Sequence, residues 1–145
     1  MTLQPRRCAS ERPNRRRILL VEDEPFVREA TVSILENAGF EVLPAVDANG
    51  ALKAYEESDC RIDLVMTDMV LPGRTGQQLG QELRHRSPEV NVLVTSGYTH
   101  AEYAIEDPAS HTYFLAKPYS RRGLIEKIET ILAVIPLRRA ARQVS

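Results

Sequence analysis

Five short apolar runs alternate with amphipathic stretches along the 145 residues, and this alternation constrains the fold class more than any other feature. The runs are Ile18–Val21, Val42–Ala45, Leu64–Thr67, Val92–Thr95 and Tyr113–Ala116. Each is nearly continuous in apolar character, as strands buried on both faces are. Between the first two, Val27, Ala30, Ile34 and Ala38 recur at helical spacing, with Pro25 suited to the first turn and Gly39 to a left-handed stop. Ala51, Leu52 and Tyr55 predict a weaker helix capped by Asp47. Leu79 and Leu83 anchor a third, which ends before Pro88. The fourth is sparse: between Thr99 and His111 only Ala101, Ala104 and Ile105 precede the break at Pro108, which predicts one or two turns. Leu124, Ile128, Ile131 and Ile135 predict a clear fifth helix from Ser120, ended by Pro136. Such alternation implies βα units packed around a parallel sheet, in an α/β fold.

Length and composition narrow the function classes. A chain of this length makes one domain with a substantial core, and 43% hydrophobic with 27% charged residues is a globular composition. The net charge of -1 gives no bulk drive toward nucleic acid or membrane. Charge is uneven, however, because six arginines fall in the first 17 residues. Residues 1–16 therefore read as a disordered, Arg-rich arm; a solvated tail is the leading reading, and docking on nucleic acid or an acidic partner the other. Cys8 and Cys60 form no pattern, as in a cytosolic protein with unpaired thiols. No apolar run approaches the roughly 18 residues of a membrane span. The run after the arginines, Ile18–Val21, is shorter than the about 7–15 residues of a signal-peptide core. The expected location is the cytoplasm, with no membrane contact. His85, His100 and His111 lack metal-ligand spacing, and no DNA-binding module is visible.

The chemistry lies at strand ends. Asp68 closes the third run just before Pro72-Gly73, Glu22 and Asp23 close the first, and Lys117-Pro118 closes the fifth. In a doubly wound sheet the carboxyl ends of the central strands open into one crevice, so these side chains are expected to meet. Three clustered carboxylates repel one another, and a divalent cation offsets that repulsion; Mg2+ suits an all-oxygen shell. Lys117 supplies a compact cation for phosphoryl oxygens. Thr95 or Ser96 offers a hydroxyl to the same group. Asp68 is the candidate nucleophile, forming an aspartyl phosphate.

In these marks the chain resembles the response-regulator receiver domains of two-component signalling, from Arg17 to about Ile135. The matching features are Glu22-Asp23, Asp68 with Pro72-Gly73, Ser96-Gly97 and Lys117-Pro118, in that order. The resemblance implies a flavodoxin-like doubly wound five-stranded parallel sheet, (βα)5, of strand order 2-1-3-4-5, spanning residues 17–136 and followed by a tail, 137–145. It implies that Asp68 accepts phosphoryl from a histidine kinase. Asp23 and Asp68 would bind Mg2+ directly with the Val70 backbone carbonyl, and Glu22 through water. Lys117 would contact the phosphoryl group, with a cis peptide to Pro118. Ser96 matches the family's switch hydroxyl, with Thr95 the runner-up, and Phe114 matches its moving aromatic. Glu22, where Asp is commoner, resembles the receivers of hybrid kinases.

The leading expectation is a stand-alone receiver without a DNA-binding domain. Its partners would be a sensor histidine kinase or histidine phosphotransfer protein and a downstream protein. A homodimer through the fourth helix, fifth strand and fifth helix is a further expectation. The alternatives are a phosphotransfer relay or sink and a phosphate-independent interaction module.

Overall fold

The apolar runs become strands within one residue of their expected limits. A computed structural model describes residues 15–58, 62–97 and 106–144. Strands β1 (Arg17–Val21), β2 (Glu41–Ala45), β3 (Leu64–Asp68), β4 (Val92–Ser96) and β5 (Thr112–Ala116) form one five-stranded sheet. Every pairing in it is parallel, in the flavodoxin-like order 2-1-3-4-5. Helices α1 (Pro25–Asn37), α2 (Ala48–Glu57), α3 (Gly76–Arg86) and α4 (Arg121–Val144) cover it.

Because strand side chains alternate between faces, the sheet divides its apolar residues into two cores. Ile18, Leu20, Leu64, Met66 and Leu93 pack with Leu35 of α1 and with Leu124, Ile128 and Ile131 of α4. Leu19, Val21, Val65, Val92 and Val94 pack with Ala48 and Ala51 of α2 and with Leu79 and Leu83 of α3. Leu124, Ile128 and Ile131 are at most 2% exposed. Burial of each contributes about 1.5–3 kcal/mol, which fixes α4 to the sheet.

Local signals set the helix ends. Pro25 occupies the first turn of α1, and the side chain of Glu24 accepts from the Phe26 N–H. At the other end Gly39 takes φ 99°, while the N–H groups of Gly39 and Phe40 reach the carbonyls of Glu36 and Leu35. This is the left-handed stop expected of Gly39. Asp47 caps α2 through the Gly50 N–H at 2.7 Å. Thr75 and Gln78 form a reciprocal capping box on α3.

Two expectations for the C-terminal half meet different outcomes. The sparse fourth helix falls largely on 98–105, outside the described residues; among the described residues leading into β5 is a 3-10 turn, Pro108–Ser110. The expected fifth helix is α4, and it does not stop at Pro136 but continues to Val144. Proline's own φ is helical, so its cost is one missing N–H bond and crowding of the preceding turn. The run Leu137-Arg138-Arg139-Ala140-Ala141-Arg142 consists of strong helix formers that carry the helix onward.

The sheet edges carry distinctive chemistry. Glu41 N–H bonds to Arg16 O and Glu22 N–H to Ala45 O, so Pro44 falls at an outward-facing position of β2. On the outer side of β5, Asp107 and Thr112 exchange two backbone bonds, of 2.8 and 3.0 Å. The Phe114 N–H donates to Glu106 Oε2 at 3.0 Å, and the same oxygen receives Lys127 Nζ from α4.

Candidate functional site

The ends of β1, β3 and β5 bring the expected residues together. One carboxylate oxygen each from Glu22, Asp23 and Asp68 lies within 4.8 Å of the others. Lys117 Nζ donates to Asp68 Oδ1 at 2.6 Å. Both partners of this pair are shielded, with side-chain exposures of 32% for Lys117 and 15% for Asp68. The Lys117–Pro118 peptide is cis.

The loops that hold these groups are themselves bonded. The Glu24 N–H donates to Glu22 Oε2 at 3.2 Å, and Arg28 Nη1 of α1 donates to the Glu22 carbonyl at 2.9 Å. After Asp68, Val70–Leu71 and Arg74–Thr75 form a two-residue antiparallel ribbon around Pro72-Gly73, with Gly73 at φ 78°. The ribbon fixes the backbone of Val70, whose side chain is exposed. It ends at Gly76, whose N–H bonds to Met69 O at 2.7 Å. A Cβ at Gly76 would lie 2.3 Å from Asp68 O, so this position needs glycine for close approach. Neither Gly76 nor the capping box beside it is among the residues singled out from sequence. Thr75-Gly76-Gln77-Gln78 is a Ser/Thr-x-x-Gln helix start, and that pattern is the signal by which the cap could be found.

Electrostatics at the site follow from burial and crowding. Burial pushes the Glu22 carboxyl above the usual carboxylate range, and Asp68 and Asp23 push the same way. The Glu24 N–H and Lys117 oppose them. Burial alone would lower the Lys117 ammonium, but the hydrogen bond and charge of Asp68, aided by Glu22, hold it above its ordinary value. Carboxylates at this spacing repel by about 3 kcal/mol per pair before screening. A hard cation with oxygen ligands relieves that repulsion, so the donor set fits magnesium.

The two candidate hydroxyls part company. Asp68 and Thr95 are register partners on β3 and β4, and Thr95 Oγ1 donates to Asp68 Oδ1 at 3.2 Å. Ser96 is also buried, but its hydroxyl donates to the Gly97 carbonyl at 3.2 Å. Strand alternation aligns Ser96 with Val92 and Val94 on the α2–α3 face. Phe114 packs against that same core. Glu22, Asp68, Thr95 and Lys117 follow the parity of the α1–α4 face. His100 lies outside the described residues.

Comparison with known proteins agrees with this geometry. The family described as response regulator receiver domain matches residues 18–129. The chain is 35% identical over 116 residues to the sensor kinase CckA of Brucella abortus (strain 2308), covering 79% of this chain and 12% of that protein. It is 31% identical over 115 residues to the sensory transduction protein RegX3 of Mycolicibacterium smegmatis, covering 79% of this chain and 50% of RegX3. The chain thus spans half or less of the length of these two relatives. Among solved structures, a response regulator receiver domain protein from Clostridium thermocellum superposes with a TM-score of 0.78 at 27% identity, over 84% of this chain and 98% of that one. The receiver domain of the hybrid histidine kinase CckA superposes with a TM-score of 0.68 at 33% identity, over 80% of this chain and 98% of that one. With the sheet order, the acidic cluster and the paired lysine in place, the chain belongs to the response regulator receiver domain family of two-component signalling.

Proposed function

We propose that this receiver takes a phosphoryl group on Asp68 from a phosphohistidine and relays the event by changing what it binds. The observation that carries this reading is the convergence on one carboxylate: Lys117 Nζ at 2.6 Å from Asp68, with the oxygens of Glu22 and Asp23 within 4.8 Å. An Asp68 oxygen attacks phosphorus, the N–P bond of the donor breaks, and the imidazole leaves with the bonding pair. The product on Asp68 is a mixed anhydride. Lys117, already charged and directed at Asp68, neutralises the incoming phosphoryl oxygens. Asp23, Asp68 and the Val70 carbonyl would hold Mg2+, with Glu22 acting through water. Such an ion neutralises charge on the phosphoryl oxygens during transfer. Ser96 and Phe114, on the opposite face, are the proposed responding pair.

The donor is a protein in this reading. Phe26, Val46 and Val70 are 82%, 50% and 57% exposed and come after β1, β2 and β3, so they lie at the same sheet edge as the acids. An apolar rim around a charged centre suits a protein surface presenting a histidine. The histidine kinase or phosphotransfer protein, a downstream partner, and association of two copies through the β5–α4 side are the proposed contacts. Among the described residues no helix is long and apolar enough to cross a membrane; a cytoplasmic location remains part of the proposal. So does the division into arm 1–16, receiver 17–136 and tail 137–145.

The test is intact mass after incubation with acetyl phosphate or with phosphorylated kinase, with and without magnesium, on the native chain and Asp68→Asn. Gain of one phosphoryl group that requires both magnesium and Asp68 is the expected result. No gain from either donor would overturn the reading. A relay or sink role is the second reading, favoured by the similarity to the CckA sensor kinase. Return of phosphoryl from Asp68 to a histidine distinguishes it.

A further inference from the structure

We infer that Thr95 is a positioning residue for the phosphoacceptor: its hydroxyl orients the Asp68 carboxylate before transfer, a task separate from that of the neighbouring Ser96. The inference rests on the proposed acceptor role of Asp68 and adds a residue that this role does not by itself require.

Three observations carry it. Thr95 is 3% exposed and is the register partner of Asp68, so its hydroxyl faces the carboxylate along the sheet's own alternation. The join between the two strands is fixed at this point, because the Met69 N–H bonds to Thr95 O at 2.8 Å. Most telling, Thr95 Oγ1 and Lys117 Nζ donate to the same oxygen, Asp68 Oδ1, at 3.2 and 2.6 Å. Among the described residues Oδ2 receives no hydrogen bond.

A lysine alone is a poor orienting device. Its ammonium sits on a flexible four-carbon stem and follows a carboxylate as it turns. The terminal torsion of Asp is broad and roughly two-fold, so a single mobile donor leaves the two oxygens free to exchange. Thr95 is β-branched and therefore stiff at χ1. It adds a second donor from a fixed direction, and together the two hold Oδ1 while Oδ2 stays distinct. Strand alternation excludes Ser96 from this task, because adjacent side chains of one strand point to opposite faces. Two consecutive hydroxyls thus divide the work: Thr95 on the chemical face sets the acceptor, and Ser96 on the other face is left for the response. The bland alternative is that a buried threonine merely satisfies its hydroxyl on the nearest acceptor. In that case its loss changes stability and leaves the rate per folded molecule alone.

The test measures the rate of phosphoryl uptake by the full chain against acetyl phosphate concentration at saturating magnesium. It compares the native chain with Thr95→Val, Thr95→Ala, Thr95→Ser and Asp68→Asn, and counts folded protein by circular dichroism. Loss of a hydrogen bond to a charged, oriented group predicts a maximal rate about tenfold lower for Thr95→Val and Thr95→Ala. The donor concentration at half-maximal rate is unchanged, and Thr95→Ser restores the rate to within about twofold of native. Should Thr95→Val not fold, Thr95→Ala and Thr95→Ser carry the comparison. Native rates in the folded variants that lack the hydroxyl, or a Thr95→Ser chain as slow as Thr95→Ala, would overturn the assignment. Uptake by Asp68→Asn at the native rate would instead overturn the acceptor itself.

Discussion

Gly76 has no side chain to act with, yet the proposed acceptor, Asp68, depends on it. A Cβ there would fall 2.3 Å from the Asp68 carbonyl and 3.0 Å from Thr67 Cγ2. Backbone cannot move aside as a flexible side chain can, so Gly76→Ala displaces the end of β3. The expected cost is about 1–3 kcal/mol, read as a lower midpoint of chemical denaturation, with slower phosphoryl uptake. Gly97→Ala is the control, since among the described residues a Cβ at Gly97 meets nothing within 4 Å. Residues differ in how legible they are for a physical reason. Asp68, Glu22, Asp23 and Lys117 can be found from sequence because each ends an apolar run, and the ends of parallel strands converge. The roles of Thr95 and Ser96 cannot be separated that way. Both end the same run, and which one faces Asp68 is settled by register and strand alternation, neither of which a single run encodes. Gly76 is hidden because close approach is a relation to another segment.

At the level of elements, the connection between β4 and β5 shows how charge substitutes for regular pairing. Burial alone would raise the Glu106 carboxyl, but the hydrogen bond from Lys127, the Phe114 N–H and the charge of Lys127 together hold it below its ordinary value of 4.5. A carboxyl depressed on folding stabilises the fold above its unfolded pKa and loses that contribution as pH falls through the folded pKa. Glu106→Gln is therefore expected to be less stable than the native chain at neutral pH. The difference should close below about pH 4.5, and urea titrations across pH measure it; a gap that persists in acid would refute the latch. Helix α4 makes the opposite point about sequence. Its apolar period from Leu124 to Ile131 is readable and is what docks it, whereas Pro136 misleads when a proline's local cost is weighed without the helix formers after it. Pro136→Ala is expected to raise the helical signal in circular dichroism, stabilising that turn by up to about 3 kcal/mol.

Across the whole molecule, the strands are legible to within a residue because a sheet buried on both sides leaves nearly unbroken apolar runs. Strand order is not readable from periodicity and came from resemblance. The crowded acids make stability itself a reporter of the site. On the proposed role of the cluster, magnesium would bind the folded chain and not the unfolded one, and so should raise the melting temperature, by the equivalent of about 2.7 kcal/mol at a hundredfold excess over its dissociation constant. Asp23→Asn is expected to remove most of that rise in thermal melts. Phe26→Ala should slow uptake from a histidine kinase while leaving uptake from acetyl phosphate unchanged, since the small donor does not touch the rim. The two borders of the sheet carry a last consequence. Proline on the outer side of β2 withholds an N–H, and on β5 the Asp107–Thr112 bridge and the Glu106 carboxylate occupy the Thr112 N–H and carbonyl and the Phe114 N–H. Both borders are thus interrupted templates, which disfavours growth of copies into a continuous ribbon by adding strand to strand. The proposed association on the β5–α4 side would then rest on side chains, and charge pairs in it would respond to salt.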